Sequence, residues 1–425
     1  MKTSPLAGES RMAKTRILFF GEAVTLAHVA RPAALASSLD ASRYEICFAA
    51  HPRYNALLGK LPYSFRSIQS IASQQFLQAL AKGNPMYDRD TLAAYVEEDL
   101  AVIREFRPDV VVGDFRLSLA VSARMAGVRY MAILNAYWSP HARRHFPMPE
   151  LAISRGIGVP LSRVLFQLLR PVGFAFHAHP MNVTRHRYGM KSLGRDPRRI
   201  YSEADEVLYA DIAELVPTFD RPVNHRYIGP IHWSPKTLLP DWWHAMPTGR
   251  PVIYVTLGTS GPVEVLGATL WALAGLPVTV IAATAGRVTL DKVPANAYVS
   301  DYLPGDEAAA RARLVICNGG SPTTQQALTA GVPVLGVPSN MDQHINMHYV
   351  VQSGAGRMIR AGQVTESVLQ SVVQSMLRDE GCSKRAMALA QVMRQHDATE
   401  RFEAAIAAKP VWQVKRAGSG AITRA

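Results

Sequence analysis

The chain has 425 residues, long for one domain and comfortable for two. A composition of 48% hydrophobic and 19% charged residues is that of a globular protein and excludes a disordered or fibrous one. The formal net charge of +13 points to anionic partners, an anionic membrane surface or an anionic acceptor, but no compact basic-aromatic motif supports nucleic acid.

Residues 1–15 are polar, without the apolar core of a secretory signal, and are expected to be flexible. Arg16 to Phe20 reads as a strand, Gly21 to Ala27 as a loop, and His28 to Leu39 as a helix with Pro32 in its first turn. A second strand follows at Tyr44 to Ala49, and this order predicts a parallel sheet. The loop lacks Gly-x-Gly-x-x-Gly, which argues against a dehydrogenase. Asp88-Arg89-Asp90 has the Asp-x-Asp spacing of a metal motif but follows Gly83-Asn84-Pro85 rather than a buried strand, and reads as a solvated loop. Thr91 to Phe106 is an amphipathic helix, and Pro108 to Asp114 is a strand that ends in a carboxylate. A helix near Leu119 to Ala126 leads to a strand at Tyr130 to Leu134. From His141 to Arg199 the pattern loosens. Within it, Leu161 to Arg170 is a basic amphipathic segment that could touch a membrane surface, although packing on the first domain over an acceptor cleft is the expected reading. Strand pattern resumes at Val207 to Ala210, and the Pro- and Trp-rich residues 235–250 read as a linker after a first domain of residues 16–234.

The second half, residues 251–408, opens with a strand from Pro251 that runs into Gly258, Thr259 and Ser260. Val265 to Gly286 holds no charged residue and is long enough to span a bilayer. Gly275-Leu276-Pro277 divides it, however, into a helix (Val265 to Ala274) and a β-branched strand (Val278 to Ala282), both soluble-core elements. Leu314 to Cys317 is a buried-strand run, broken by Asn318-Gly319-Gly320. Pro322 then sits where a helix begins, Thr323 to Ala330 continues it, Gly331 caps it, and a strand follows at Val334 to Val337. A glycine turn feeding a helix N-terminus presents free N–H groups and a positive dipole end, which suits a phosphate, and Ser321, Thr323 and Thr324 add hydroxyls. Asp342-Gln343, just past the next strand, places a carboxylate and an amide where sugar hydroxyls could be held. Helices continue to about Ala407, and a basic tail, residues 409–425, is expected to be disordered. No internal repeat is present. Cys47, Cys317 and Cys382 have no paired spacing, so a reducing, cytoplasmic compartment is expected, with no disulfide frame or structural zinc.

The run Asn318-Gly319-Gly320-Ser321-Pro322-Thr323, then Gly331-Val332-Pro333, then Asp342-Gln343-His344-Ile345-Asn346 resembles the donor signature of glycosyltransferase family one. That family's pattern is His-Gly-Gly-x-Gly-Thr, Gly-x-Pro and Asp-Gln-x-x-Asn. Here Asn318 replaces a diphosphate-contacting His, Pro322 a Gly, and Gln326 the usual acid. The resemblance implies the α/β GT-B fold, two Rossmann-like domains facing a central cleft. It extends to Tyr227-Ile228-Gly229-Pro230, to Leu257-Gly258-Thr259 near the donor phosphates, and to Val299–Pro304, with Leu303, along the nucleoside base, although Pro304-Gly305 replaces the frequent Pro-Gln. The implied donor set is therefore Gly258, Thr259, Ser260, Leu303, Asn318, Gly319, Gly320, Ser321, Thr323, Asp342 and Gln343.

His28 is the candidate general base, because it lies at the carboxyl edge where open sheets bind ligands and histidine is the side chain suited to taking a proton from a hydroxyl. The family's Gly-His-x-x-Pro phrase is one residue longer here, Ala27-His28-Val29-Ala30-Arg31-Pro32. Asp114 can orient the imidazole from a neighbouring strand, or simply cap the following helix. His141/His145 and His344/His348 have helical spacing but no accompanying Glu, and no metal or cofactor is expected beyond a UDP- or TDP-sugar co-substrate. The expected function is inverting, metal-independent transfer of a sugar to an acceptor hydroxyl of a small molecule, lipid or saccharide. The rivals are a sugar-nucleotide epimerase on the same fold and a non-catalytic nucleotide-sugar-binding protein.

Overall fold

Short β-branched and apolar runs, buried on both faces, build two parallel sheets. A computed structural model describes residues 14–143, 145–150 and 158–408; most of the N-terminal lead (residues 1–13) and the basic tail lie outside the described residues. The first half runs β1 (Thr15–Gly21), α1 (Ala27–Ser38), β2 (Tyr44–Ala50), α2 (Asn55–Leu58), β3 (Ser64–Ser67), α3 (Ser73–Lys82), α4 (Arg89–Phe106), β4 (Val110–Asp114), α5 (Leu119–Ala126), β5 (Arg129–Leu134), α6 (Val159–Arg187), α7 (Pro197–Tyr201), β6 (Glu206–Tyr209) and β7 (His225–Tyr227). Its sheet has the order β3-β2-β1-β4-β5-β6-β7. The second half runs β8 (Val252–Thr256), α8 (Val263–Ala274), β9 (Thr279–Ala283), β10 (Ala297–Ser300), α9 (Gly305–Arg311), β11 (Leu314–Cys317), α10 (Ser321–Thr329), β12 (Val334–Gly336), α11 (Met341–Gln352), β13 (Gly356–Met358), α12 (Glu366–Arg378), α13 (Glu380–Arg394) and α14 (Ala398–Ala407). Its sheet has the order β10-β9-β8-β11-β12-β13.

In each sheet the strand order reverses beside its first strand. That point lies between β1 and β4, where Gly21 pairs with Asp114, and between β8 and β11, where Thr256 pairs with Cys317. Crossovers leave in opposite directions there, which opens a crevice at the carboxyl ends of the strands. One apolar cluster reaches from Leu134 and Tyr209 to Tyr254, Ile281 and Val315, so the halves are packed together. The chain also returns: Phe402 of α14 is fully buried, with its ring 5.8 Å from that of Phe19, and Arg129 donates to the carbonyls of Ala405 and Ile406 at 2.7 Å. A cation on the last carbonyls of a helix also meets the negative end of its dipole.

Three local expectations are corrected. Pro32 lies inside α1 rather than in its first turn, because the helix already begins at Ala27. Asp88-Arg89-Asp90 is a helix start rather than a loop: Asp88 caps α4, accepting from Thr91 N at 2.7 Å. The stretch without clear pattern is largely α6, a 29-residue helix containing Pro171 and Pro180. Prolines normally break helices, and they obscured its period. The uncharged stretch from Val265 divides into α8 and β9, and among the described residues no helix is long and apolar enough to cross a membrane.

Candidate active site

The candidate site starts at the β1–β4 switch point. Gly21 ends β1, and a Cβ there would lie 3.1 Å from the His28 carbonyl and Val29 Cα. Its lack of a side chain lets the first turn of α1 come down onto the sheet. His28 sits in that turn, 21% exposed, with Nδ1 2.8 Å from Asp114 Oδ1. Asp114 is buried at the end of β4 and is held from the other side by Arg31, one turn on from His28, through Nε (2.9 Å to Oδ2) and Nη2 (2.9 Å to Oδ1). Burial would raise the Asp114 carboxyl, but the charges of Arg31 and His28 outweigh it and lower its pKa. An ionised carboxylate only accepts, so Nδ1 of His28 carries the proton and Nε2 is left as the basic nitrogen. Arg31 Nη2 stands 3.4 Å from Nδ1 and, like it, points at the shared carboxylate.

Phe115, the next residue, has a left-handed φ of 61°, a conformation that costs on the order of 1–3 kcal/mol. Its ring stacks on His28, with centroids 4.6 Å apart and planes 14° apart. Below lies a buried charge cluster. Arg116 reaches Asp99, Glu22 and Glu98 at 3.0 Å each, with its guanidinium 3.7 Å above the Tyr95 ring. Burial pushes the Asp99 carboxyl up to about 6 despite Arg116, which lowers it.

In the second half, Gly319 has φ +80°, and a Cβ there would strike Met347 Cγ at 2.5 Å, so the turn before α10 requires glycine. Gly320 is the N-cap of α10 and makes no side-chain cap, while Pro322 stands in the first turn. Backbone N–H groups of Ser321 and Thr323 therefore have no acceptor within the helix, at its positive end. Asn318 accepts from Gly320 N at 3.1 Å and donates to Ser260 Oγ at 3.1 Å.

Two cavities meet here. The larger, about 480 Å³, is lined mainly by apolar groups including Phe76, Phe115, Phe166 and Trp138, with His28 and Asp114 in its wall. The smaller, about 170 Å³, is lined by Gly258, Thr259, Ser260, Leu303, Asn318, Gly320 and Thr323. Thr25, Arg31, Ser260, Gly320 and Pro322 border both. Ser321, Asp342 and Gln343 face the larger cavity, and Gly319 lines neither. Asp342 and Gln343 have polar atoms engaged within the protein. Asp342 Oδ1 accepts from Trp138 Nε1 at 2.7 Å and Tyr137 Oη at 3.1 Å. Gln343 closes a capping box with Asn340 at the start of α11 and donates to Ser260 Oγ at 3.3 Å.

Sequence reasoning missed Arg31 and Asn135. Asn135 Oδ1 accepts from Arg31 Nη1 at 2.8 Å and from Ser321 Oγ at 3.2 Å, and its amide donates to Asp211 at 3.2 Å. Gln325 of α10 donates to Asp211 at 2.8 Å. A usable signal was present: Asn135 and Asp211 follow β5 and β6 at the same edge where Asp114 ends β4, and Arg31 is three residues from His28 on one helix face. The His pairs are also placed differently. His344 and His348 share α11, but His141 and His145 are not on a described helix, and His145 stacks on His348 at 3.6 Å.

Two parallel sheets with facing switch points, an imidazole–carboxylate pair on one side and a helix N-terminus on the other, define the GT-B class. The solved structure of the spinosyn rhamnosyltransferase SpnG complexed with thymidine diphosphate shares this fold, with a TM-score of 0.63 and 18% identity, over 90% of this chain and 98% of that one. Residues 268–407 match the family model of the erythromycin biosynthesis protein CIII-like C-terminal domain. A PGL/p-HBAD biosynthesis glycosyltransferase of Mycobacterium tuberculosis is 52% identical over 92% of this chain and 91% of its own length. A PGL/p-HBAD biosynthesis rhamnosyltransferase of Mycobacterium bovis is 54% identical over 89% of this chain and 85% of its own. The chain belongs to this family of glycosyltransferases.

Proposed function

We propose that the protein transfers a sugar from a nucleoside diphosphate sugar to a hydroxyl of an apolar acceptor, with inversion and without a metal or other cofactor. The observation that carries this is the junction of the two cavities at Arg31, Ser260 and Gly320, with His28 in the wall of the apolar cavity and the α10 N-terminus on the polar one. The acceptor hydroxyl gives its proton to His28 Nε2, and its oxygen bonds to the anomeric carbon. The bond from that carbon to the diphosphate breaks on the opposite face, so one displacement inverts the centre. The departing charge meets the N–H groups of Ser321 and Thr323 and the hydroxyls of Thr259 and Thr323. Asp114 keeps the imidazole in the required tautomer and stabilises the imidazolium that forms. Asp342 and Gln343 border the space the sugar would occupy. The spinosyn enzyme is bound to thymidine diphosphate, and the M. bovis relative is called a rhamnosyltransferase, so thymidine diphosphate and its rhamnosyl derivative are the first ligands to try.

Thymidine and uridine diphosphates are titrated against thermal unfolding, where a ligand that binds the native state raises the midpoint. Thr323→Val should weaken the better ligand by about 1.5–3 kcal/mol, the worth of a hydrogen bond to a charged group. No midpoint shift with either nucleotide would sink the donor site. Transfer that stops on adding EDTA and returns with Mg²⁺ would overturn the metal-free mechanism. Turnover of donor without acceptor would point instead to epimerisation.

A further inference from the structure

Helix α6 has one face in the acceptor cavity and the other in solvent. Ser162, Phe166, Phe174 and His177 line the cavity from it. On the opposite side Leu161 is 59% exposed, Val164 58%, Leu168 71%, Val172 69% and Phe176 53%. Spacings of three and four residues at 100° per residue put all five on one continuous stripe. Scattered surface apolar residues are ordinary, but a contiguous stripe of large ones calls for a partner. The chemistry of that partner follows from charge. Across its 29 residues α6 contains no Asp or Glu; of its arginines Arg163 and Arg187 are exposed, whereas Arg170 lines the cavity and Arg185 is buried and paired with Glu203. Exposed Lys82 and Arg89 flank it, as shown by His177 contacting the carbonyl of Gly83 and Thr184 that of Arg89. The stripe also meets the cavity: Leu169 is 55% exposed and at the same time lines the apolar cavity.

We infer that the outer face of α6 docks on the surface of a bilayer containing anionic lipid. The helix lies in the interface plane, with Leu161, Leu168 and Val172 among the acyl chains and the flanking cations at the headgroups. A membrane-held acceptor would then reach the cavity past Leu169 without crossing water. That last step rests on the glycosyl-transfer reading, whereas the docking does not.

The full chain is floated with vesicles of phosphatidylcholine alone and of equal parts phosphatidylcholine and phosphatidylglycerol, with the double variant Leu168→Ser/Val172→Ser in parallel. Neither of these residues lines the cavity. Wild type should float with the mixed vesicles and much less with the neutral ones. The variant should lose about tenfold or more in vesicle affinity with an unchanged thermal midpoint and unchanged transfer to a short-chain soluble acceptor. Wild type that stays behind with mixed vesicles overturns the inference, as does a variant that floats equally well. Self-association in sedimentation that the variant abolishes, without vesicle binding, would assign the stripe to a second copy and overturn it too. Vesicle binding by a protein that transfers no sugar would uphold the docking and refute the function instead.

Discussion

At the scale of single residues, the imidazole is one member of a buried chain of four. Arg31, Asp114 and Asn135 are each almost fully buried, and each polar group has a partner. Desolvating a guanidinium and a carboxylate is costly, and a fork-on-fork geometry offsets it only while both partners remain. Arg31→Met should therefore destabilise the protein by about 3–5 kcal/mol, measured by denaturant unfolding, because it leaves the Asp114 charge buried with fewer partners. His28→Ala removes a partly exposed ring and leaves Arg31 on Asp114, so stability should stay closer to wild type than in Arg31→Met, yet turnover should fall by about 10²–10⁴ at saturating substrates. Asp114→Asn should also slow turnover, and combining it with His28→Ala should add little, since the two act as one unit. Wild-type turnover in His28→Ala would place the base elsewhere.

At the scale of elements, helix termini decide what several polar residues do. The N-terminus of α10 lacks a side-chain cap, whereas that of α4 is capped by Asp88 and that of α11 by a reciprocal Asn340–Gln343 box. A capped terminus has spent its donors within the protein; an uncapped one can offer them to a ligand. Asp88 shows the difference. Its carboxyl is lowered chiefly by the hydrogen bond from Thr91 N, as expected of a cap, while Asp90 beside it is exposed. Asp88→Ala should cost about 0.5–2 kcal/mol of stability and leave transfer intact. Transfer lost with stability retained would revive Asp88-Arg89-Asp90 as a metal motif.

At the scale of the whole molecule, the halves are joined by polar contacts that surround the site. Asn135 and Asp211 of the first half bind Ser321 and Gln325 of α10, and Trp138 and Tyr137 bind Asp342. Helix α10 is thus linked through Asn135 to Arg31, which holds Asp114. Farther out, His145 stacks on His348. Burial, and then the charge of His145, depress His348 from 6.5 to about 4. A histidine with a depressed folded pKa binds fewer protons than in the unfolded chain between those values. Its stabilisation is therefore fully present above about 6.5 and is lost as the pH falls toward about 4. His348→Phe keeps a flat ring and removes the titration, so its thermal midpoint should gain on wild type through that window. Taking the difference between the two proteins cancels the titrating groups that do not interact with His348, leaving His348 and its stacked neighbour His145. A difference that does not vary with pH would show that His348 is not strained by protonation.

The sequence by itself determined the alternation of strand and helix. The apolar runs at β1, β4, β8 and β11 have the length and continuity of buried parallel strands, and the glycine and proline that punctuate them favour that reading over a helix. It also pointed to the α10 turn, because Asn318-Gly319-Gly320 breaks the strand run and Pro322 suits the first turn of a helix. Parallel strands carry their loops to one edge, so residues just past each strand were identifiable as site candidates before their partners were. What the tertiary structure decided is partnership. Arg31 looked like any helix residue until β4 and β5 brought Asp114 and Asn135 beneath it, 83 and 104 positions away. The polar groups of Gln343 turn out to serve a helix cap and Ser260, and Asp342 is held by aromatics of the other half. Within α6 only the amphipathic segment Leu161 to Arg170 was legible, and which side faces the cavity and which faces solvent was not. Periodicity reports that two faces differ, and only packing against the rest of the chain fixes which one is buried.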